Sequence, residues 1–387
     1  MLCVRGVRTS LETQEKLMRI ALISTCAVSV PPRAYGGTEL IIAELAKRLT
    51  QLGHDVTTFA TGDSAPAGRL EWLFDRPTWP PTDRAEFRHA AAAWRHIARA
   101  PNAFDVVHAH QSQSLAFASL VHSVPTVYTL HHHRDESLIA MYRDFPDVAY
   151  VAVSRRQADL VPEVAIEDVI LHGIDSDLFE LGAGDQGFVA FLGRFAAEKG
   201  PHAAIDAARR ARVPLRMGGG VHPPDREYFE REVRPRLADS RGGVQWLGEL
   251  SFIPKVALLR GARALLFPID WEEPFGLVMI ESMLVGTPVI GFPRGSVPEV
   301  VEEGVTGFIV RDEVEMAARI QRLDGFDRRR CRERARERWS SLRMAQEHET
   351  LYERLLQRSA RARLHSGVGD RVGVNRGADG PAGRSIA

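Results

Sequence analysis

Lysine is the first scarcity in this sequence. Only Lys16, Lys47, Lys199 and Lys255 occur among 50 lysines and arginines. Each is slightly informative, because a compact ammonium stands where a planar guanidinium is the rule. A surface lysine kept by chance is the plainer reading for any one of them. Cysteine is scarcer still: Cys3, Cys26 and Cys331 are odd in number and far apart. That excludes a disulfide framework and a cysteine-based zinc module, and it fits a reducing, cytoplasmic compartment. Neither sign of charge is in excess, since 50 acidic residues balance the basic ones. Zero net charge argues against a dedicated nucleic-acid binder. No apolar run reaches bilayer-spanning length. With 44% hydrophobic and 26% charged residues, the chain reads as a soluble globular protein, and 387 residues suit two domains.

The opening MLCVRGVRTSLETQEKL is polar, without the apolar core of a secretory signal. Residues 1–17 are expected to be a disordered extension, with the start left open between Met1 and Met18. From there short apolar runs alternate with helical patterns. IALIS (20–24), HDVTTFAT (54–61), FDVVHAH (104–110), VPTVYTLHH (124–132) and VAYVAVS (148–154) read as strands. Residues 38–53 and 83–99 read as helices, and 62–82 as a polar, proline-rich excursion. After ELGAGDQG (180–187) the pattern restarts with FVAFLGR, VPLRMGGG, VQWLGEL, ARALLFP and TPVIGF. This predicts two α/β units with mostly parallel sheets, 18–171 and 187–340, their boundary within 172–187. The arginine-rich stretch DRRRCRERARERW (327–339) reads as a solvated helix face with i,i+4 pairing. Residues 359–387 are expected to be disordered.

Two facing units of this kind place ligands at the C-terminal ends of their strands, in the cleft between them. After IALIS, Gly36 and Gly37 precede a helix expected from about Thr38. Adjacent glycines permit close backbone approach, and a helix N-terminus attracts phosphate. Thr38 with a later acidic residue is expected to cap that helix; a plain N-cap turn is the alternative. The text is neither G-x-G-x-x-G nor a P-loop, which weakens nicotinamide and NTPase readings. In FLGRFAAEKG (191–200), Arg194 and Lys199 follow a strand end and suit a diphosphate. The alternative there is surface charge, with Glu198 pairing locally.

In EEPFGLVMIESMLVGTPVI (272–290), Glu273 and Glu281 stand eight apart. On one helix they would lie about 80° apart, and Pro274 with Gly276 argues against such a helix. A turn carrying Glu273, then a helix from near Gly276, is the better reading. Gly276, Leu277 and Val278 then offer free N–H groups to an anion. Glu281 suits ribose hydroxyls, and Glu273 suits sugar hydroxyls. Apolar neighbours such as Phe275 make unpartnered carboxylates costly here. His108 and His110 share a strand face at a spacing that can bind zinc, but no third ligand follows, so no metal is expected. His131, directly after VYTL, is expected to face the cleft and hydrogen-bond a substrate hydroxyl.

The order YGGTE, FDVVHAH, YTLHH, VAVS, ILHGID, FLGRFAAEKG, VQWLGEL, EPFGLVMIESMLVGTPVI resembles the family 4 retaining glycosyltransferases over about residues 18–355. E-x7-E together with G-R-x4-K-G carries the likeness. The resemblance implies the GT-B fold, an α/β architecture of two Rossmann-like, doubly wound domains facing a central cleft. The first domain would be the acceptor side and the second would bind the nucleotide-sugar, with a last helix (341–357) crossing back to the first. It implies a metal-independent hexosyltransferase without a cofactor, the nucleotide-sugar being a substrate: a UDP-sugar first, a GDP-sugar second. The acceptor, whether carbohydrate, lipid or small molecule, stays open. A lipid acceptor would bring a basic face of the first domain to the inner membrane surface. By the same carry-over, Arg194 and Lys199 hold the diphosphate and stabilise the departing nucleotide, Glu273 lies near the transferred sugar, and Glu281 binds ribose. Gly36 and Gly37 lie near phosphate and acceptor, and His131 contacts the donor sugar. N–H groups around Gly276, Leu277 and Val278, beside Phe275, contact sugar or phosphate. Leu250 and Lys255 lie near the base. Trp271, Glu272 and the triple histidine depart from the usual text and bear on sugar choice. The rival readings are a non-catalytic sugar-nucleotide binder and a GT-B-type epimerase.

Overall fold

The computed structural model describes residues 17–369, except 35, 101, 122–123 and 239–242. The expectations for residues 1–16 and 370–387 lie outside the described residues. The first sheet has the order β3-β2-β1-β4-β5-β6-β7. Its strands are β1 (Arg19–Ile23), β2 (Asp55–Ala60), β3 (Arg69–Trp72), β4 (Val106–Ala109), β5 (Thr126–Thr129), β6 (Ala149–Ala152) and β7 (Ile166–Val169). The second sheet has the order β10-β9-β8-β11-β12-β13. It consists of β8 (Val189–Leu192), β9 (Leu215–Gly218), β10 (Val244–Trp246), β11 (Leu265–Phe267), β12 (Val289–Gly291) and β13 (Gly307–Ile309). The strand pairs are parallel throughout.

Central strands such as VVHA of β4 and VAFL of β8 are buried along their whole length. Helices cover both faces of a parallel sheet, so such strands read as continuous apolar runs without alternation. The edge strand β3 lies inside the stretch that reads as a proline-rich excursion. It is short and largely solvent-facing, so it has no apolar run to announce it. One apolar cluster continues from Ile20 and Leu22 through Ile174 and Phe179 to Leu265 and Val289, and includes Trp339 and Tyr352.

Strand order reverses between β1 and β4 in the first sheet and between β8 and β11 in the second. Loops leaving such neighbours diverge to opposite faces and open a crevice at the strands' C-terminal ends. Both crevices face each other here.

Two helices differ from expectation. The arginine-rich helix Arg328–Arg338 is solvated on one side, where Arg329, Arg330, Glu333, Arg336 and Glu337 are exposed and Arg334 pairs with Glu337, but its other side turns arginines inward. Arg328 donates to the Gly182 and Ala262 carbonyls at 2.8 and 3.1 Å. Arg332 donates to Leu284 and Phe179 carbonyls at 3.0 and 2.8 Å. The helix thereby clamps the inter-domain segment onto the second domain. A guanidinium supplies several donors in a rigid fork, which suits chain carbonyls that no sheet or helix satisfies. Arg328→Ala is expected to lower unfolding stability by about 2–3 kcal/mol, because hydrogen bonds from a charged group are lost and buried carbonyls are orphaned. A urea midpoint corresponding to less than about 0.5 kcal/mol of change would contradict the clamp.

The terminal helix Ser341–Gly369 runs beyond 357 and takes in residues 359–369, where disorder was expected. Residues 358–366, RSARARLHS, contain no proline or glycine, so a helix anchored by its buried part propagates. It lies on the first domain: His54 meets Glu349 at 2.9 Å, Tyr352 meets His108 at 2.7 Å, and Arg354 pairs with Asp168 at 2.8 Å.

Candidate active site

A cavity of about 960 Å³ lies between the C-terminal ends of the two sheets, and all thirteen site residues expected from sequence line it. Gly36 and Gly37 come from the loop after β1. Gly36 has φ 143° and is the N-cap of the helix Gly37–Gln51 without a side-chain cap. A Cβ there would meet that of Pro32 at 2.8 Å, so glycine is required. The expected Thr38 cap is not made, because Thr38 lies inside the first turn. Glu39 turns away from that role and accepts from the Thr25 hydroxyl. Leu277 of the facing domain lies 3.3 Å from where a Gly37 Cβ would sit, so the two domains approach closely at this point.

Arg194 follows β8, and Lys199 ends a short 3₁₀ turn, Ala197–Lys199. Glu273 follows β11 on a turn, and Gly276, φ 79°, is the N-cap of the helix Leu277–Leu284, again with no capping side chain. Leaving the cap without a side chain keeps its first N–H groups available on the cavity side. Lys199 Nζ is hydrogen-bonded to Glu273 and lies 4.4 Å from the centre of the Trp271 ring. The Trp271 indole donates to Glu273 at 3.0 Å. Glu281, 4% exposed, is paired with Lys255. Arg194 is paired with Glu198 and lies 3.4 Å from Asp225, whose carboxyl burial pushes up.

Each cleft cation thus holds a carboxylate. Ion pairing offsets the desolvation that buried Glu281 and partly buried Glu273 would otherwise suffer. An entering dianion can take over the cations and release Glu273 and Glu281 to accept from hydroxyl groups. Surface pairing with Glu198 and a place in the cleft therefore coexist for Arg194. Leu250 lines the cavity after β10, and Phe275 packs edge-on against His172 at 5.1 Å.

His131 lies two residues after β5, at the cavity wall, its ring stacked on His172 at 5.6 Å. The candidate zinc pair, His108 on β4 and His110 just past its end, is spent on hydrogen bonds. His108 is bonded to Tyr352 and Thr129, both at 2.7 Å, and His110 Nδ1 to His131 at 2.9 Å. Among the described residues no three metal-ligating side chains converge. Sequence reasoning missed the place of His172 on the cavity wall and the contacts of Trp271 with Lys199 and Glu273. His172 stands in ILHGID at the end of a strand run, the same position that singled out His131.

Glu272, which departs from the usual text of the motif, has a defined place in the structure. Arg156 of the first domain holds it at 2.8 and 3.1 Å, which lowers the carboxyl pKa. That contact fixes the Glu273 turn to the opposite wall.

Cations and carboxylates gathered at two facing switch points define a two-domain α/β enzyme built for an anionic, hydroxyl-rich ligand. The family description "Glycosyltransferase Family 4" matches residues 35–178, and "Glycosyl transferases group 1" matches residues 174–338. The chain belongs to the family 4 glycosyltransferases of the GT-B fold. It is 28% identical over 334 residues to alpha-maltose-1-phosphate synthase of Mycolicibacterium smegmatis, covering 76% of this chain and 84% of that protein. It is 27% identical to D-inositol 3-phosphate glycosyltransferase of the same organism, covering 78% and 81%. In fold it is similar to sucrose-phosphate synthase from Thermosynechococcus elongatus, with TM-score 0.74, 21% identity, and 88% and 99% of the chains covered. Anabaena HepE in complex with UDP-glucose gives TM-score 0.67 at 20% identity, covering 87% and 100%.

Proposed function

We propose that this glycosyltransferase moves a hexose from a nucleoside-diphosphate sugar, UDP first and GDP second, with retention and without a metal. The observation that carries the reading is the convergence of Arg194, Lys199, Glu273 and Glu281 on one cavity. Arg194 and Lys199 hold the diphosphate and stabilise the charge that develops on it as the glycosidic bond breaks. Glu281 accepts from ribose hydroxyls, Glu273 from hydroxyls of the transferred sugar, and His131 contacts that sugar. The uncapped N–H groups at Leu277 and Val278 meet sugar or phosphate. Leu250 and Lys255 flank the base.

The acceptor enters on the first-domain side, past Gly36 and Gly37 and the exposed His132 and His133. Two relatives are named for inositol phosphate and maltose phosphate, so phosphorylated acceptors lead the acceptor screen. A cytoplasmic setting fits the buried free thiols Cys26 and Cys331. Among the described residues no helix is long and apolar enough to cross a membrane.

The test is a thermal-shift panel of UDP-, GDP- and ADP-sugars, with and without EDTA, on wild type and Glu281→Ala. A shift with one nucleotide class, unchanged by EDTA and lost in the variant, is expected. No shift with any of them would remove the donor assignment. Donor consumption without an acceptor would point to the epimerase reading. The two glutamates should separate. Glu281→Ala is expected to weaken UDP by about 2 kcal/mol, roughly 30-fold. Glu273→Ala should leave UDP affinity intact and lower kcat. Identical behaviour in calorimetry and kinetics would refute the division of roles.

A further inference from the structure

His131 is backed by a column of buried rings leading away from the cleft. Centroid separations are 5.2 Å from His131 to His110, 4.1 Å from His110 to His108, and 5.1 Å from His108 to His348. His110 is 2% exposed, and its Nδ1 lies 2.9 Å from Nε2 of His131. Burial holds both rings neutral, His110 well below the ordinary histidine range and His131 down to about 3. Two neutral imidazoles share a single bridging proton, and which ring owns it decides what His131 shows the cleft.

The other nitrogen of His110, Nε2, is buried with no partner among the described residues. If His131 were the donor, neutral His110 would carry its proton on that Nε2 as an orphaned N–H. If His110 donates from Nδ1, the orphan is a bare nitrogen. Unpartnered buried N–H groups are the rarer and costlier case. His131 is then protonated on Nδ1.

We propose that His110 is a positioning residue: by donating from Nδ1 it sets the tautomer and ring plane of His131, so that an N–H faces the transferred sugar. The proposal rests on the reading of His131 as a donor-sugar contact. His110 is itself held, because it packs on His108, whose two nitrogens are taken by Tyr352 and Thr129. The terminal helix thereby reaches the cleft through Tyr352, His108 and His110. Outer partners that orient a working imidazole have this form elsewhere in protein chemistry.

The test uses full-length protein labelled with ¹⁵N-histidine, in wild type, His110→Phe and His110→Asn. His131 resonances are identified by their loss in His131→Asn. Long-range ¹H–¹⁵N correlations are expected to show His131 protonated on Nδ1 in wild type. In His110→Phe the Nε2–H form should appear. His110→Asn, whose amide N–H can stand in for Nδ1–H, should keep the wild-type tautomer. With the nucleotide-sugar found in the thermal panel, His110→Phe should lose about 10–100-fold in kcat, with KM within about threefold. His110→Asn should recover most of the loss. Wild-type His131 protonated on Nε2 would overturn the proposal, as would an unchanged tautomer and kcat in His110→Phe. Should His110→Phe not fold, His110→Gln, with its amide one carbon further out, takes its place with the same expected losses. The spectra need no substrate. Absence of turnover with every nucleotide-sugar therefore counts against the transferase reading and leaves the tautomer result to decide this one.

Discussion

Lys199→Met is expected to lower transferase turnover by about 10²–10³-fold. The ammonium is held in place before any ligand arrives, by the Glu273 carboxylate on one side and the Trp271 ring on the other. In the proposed reaction a cation fixed this way would meet the departing diphosphate without reorganising. Methionine keeps a side chain of similar length and removes the charge that sits over Trp271 and against Glu273. It also leaves Glu273 facing an incoming dianion with no counter-charge on Nζ, which penalises the charged transition state again. Lys199→Arg should recover part of the loss, since a guanidinium spreads its charge and is too broad for the same seat. Steady-state kinetics with the nucleotide-sugar from the thermal panel measure this. A kcat within about threefold of wild type would take Lys199 out of the leaving-group role.

Acid should unfold this protein well above the range in which carboxylates titrate. His89, His108, His110, His172 and His348 are all less than a tenth exposed. Burial lowers the pKa of each, to about 4 for His89 and His348 and well below the ordinary value for the other three. An unfolded histidine protonates near pH 6.5. Below that pH the unfolded chain binds more protons than the folded one, so stability falls as pH falls, down to the depressed folded values. Each histidine contributes at most about 1.4 kcal/mol per pH unit. Buried Glu39, Glu44 and Glu86 act in the opposite sense. Their pKa values are raised by burial, so part of their penalty is relieved on acidification. In the unfolded chain the five histidines protonate between about pH 7.5 and 5.5, and they outnumber the three glutamates. Over that interval a net loss of roughly 5 kcal/mol is expected, comparable with the whole stability of a typical domain. Urea unfolding at constant ionic strength measures it. A change under about 1 kcal/mol across that interval would show that the buried rings gain protons without unfolding.

The two effects have different origins in the chain. Lys199 was legible because strand text, a glycine and a rare lysine stand within ten residues, FLGRFAAEKG. Glu273 and Glu281 were legible for the same reason: proline and glycine between them forbid one helix, so a turn and a helix N-terminus follow from local rules. The alternation of apolar runs with helical patterns likewise determined two parallel α/β units, because burial on both faces writes itself into strand composition. Local rules stop where partners are distant in sequence. Glu273 with Lys199, Glu281 with Lys255, and Arg156 with Glu272 are 74, 26 and 116 residues apart. Nothing in either partner's neighbourhood announces such a pair.

The arginine-rich helix misleads for a related reason. Its composition is that of a solvated face, and only the fold decides that Arg328 and Arg332 meet buried carbonyls. The column of histidines is the furthest case. HAH on β4, the first His of HHH after β5, His172 and His348 become neighbours because parallel strands align their ends and the terminal helix returns to cover them. The sequence alone thus determined two α/β units, the loops that carry the cleft cations, and the family. The tertiary structure decided which charges neutralise each other and which way the cleft histidine faces, because both depend on contacts that chain entropy leaves unformed until the domains have packed.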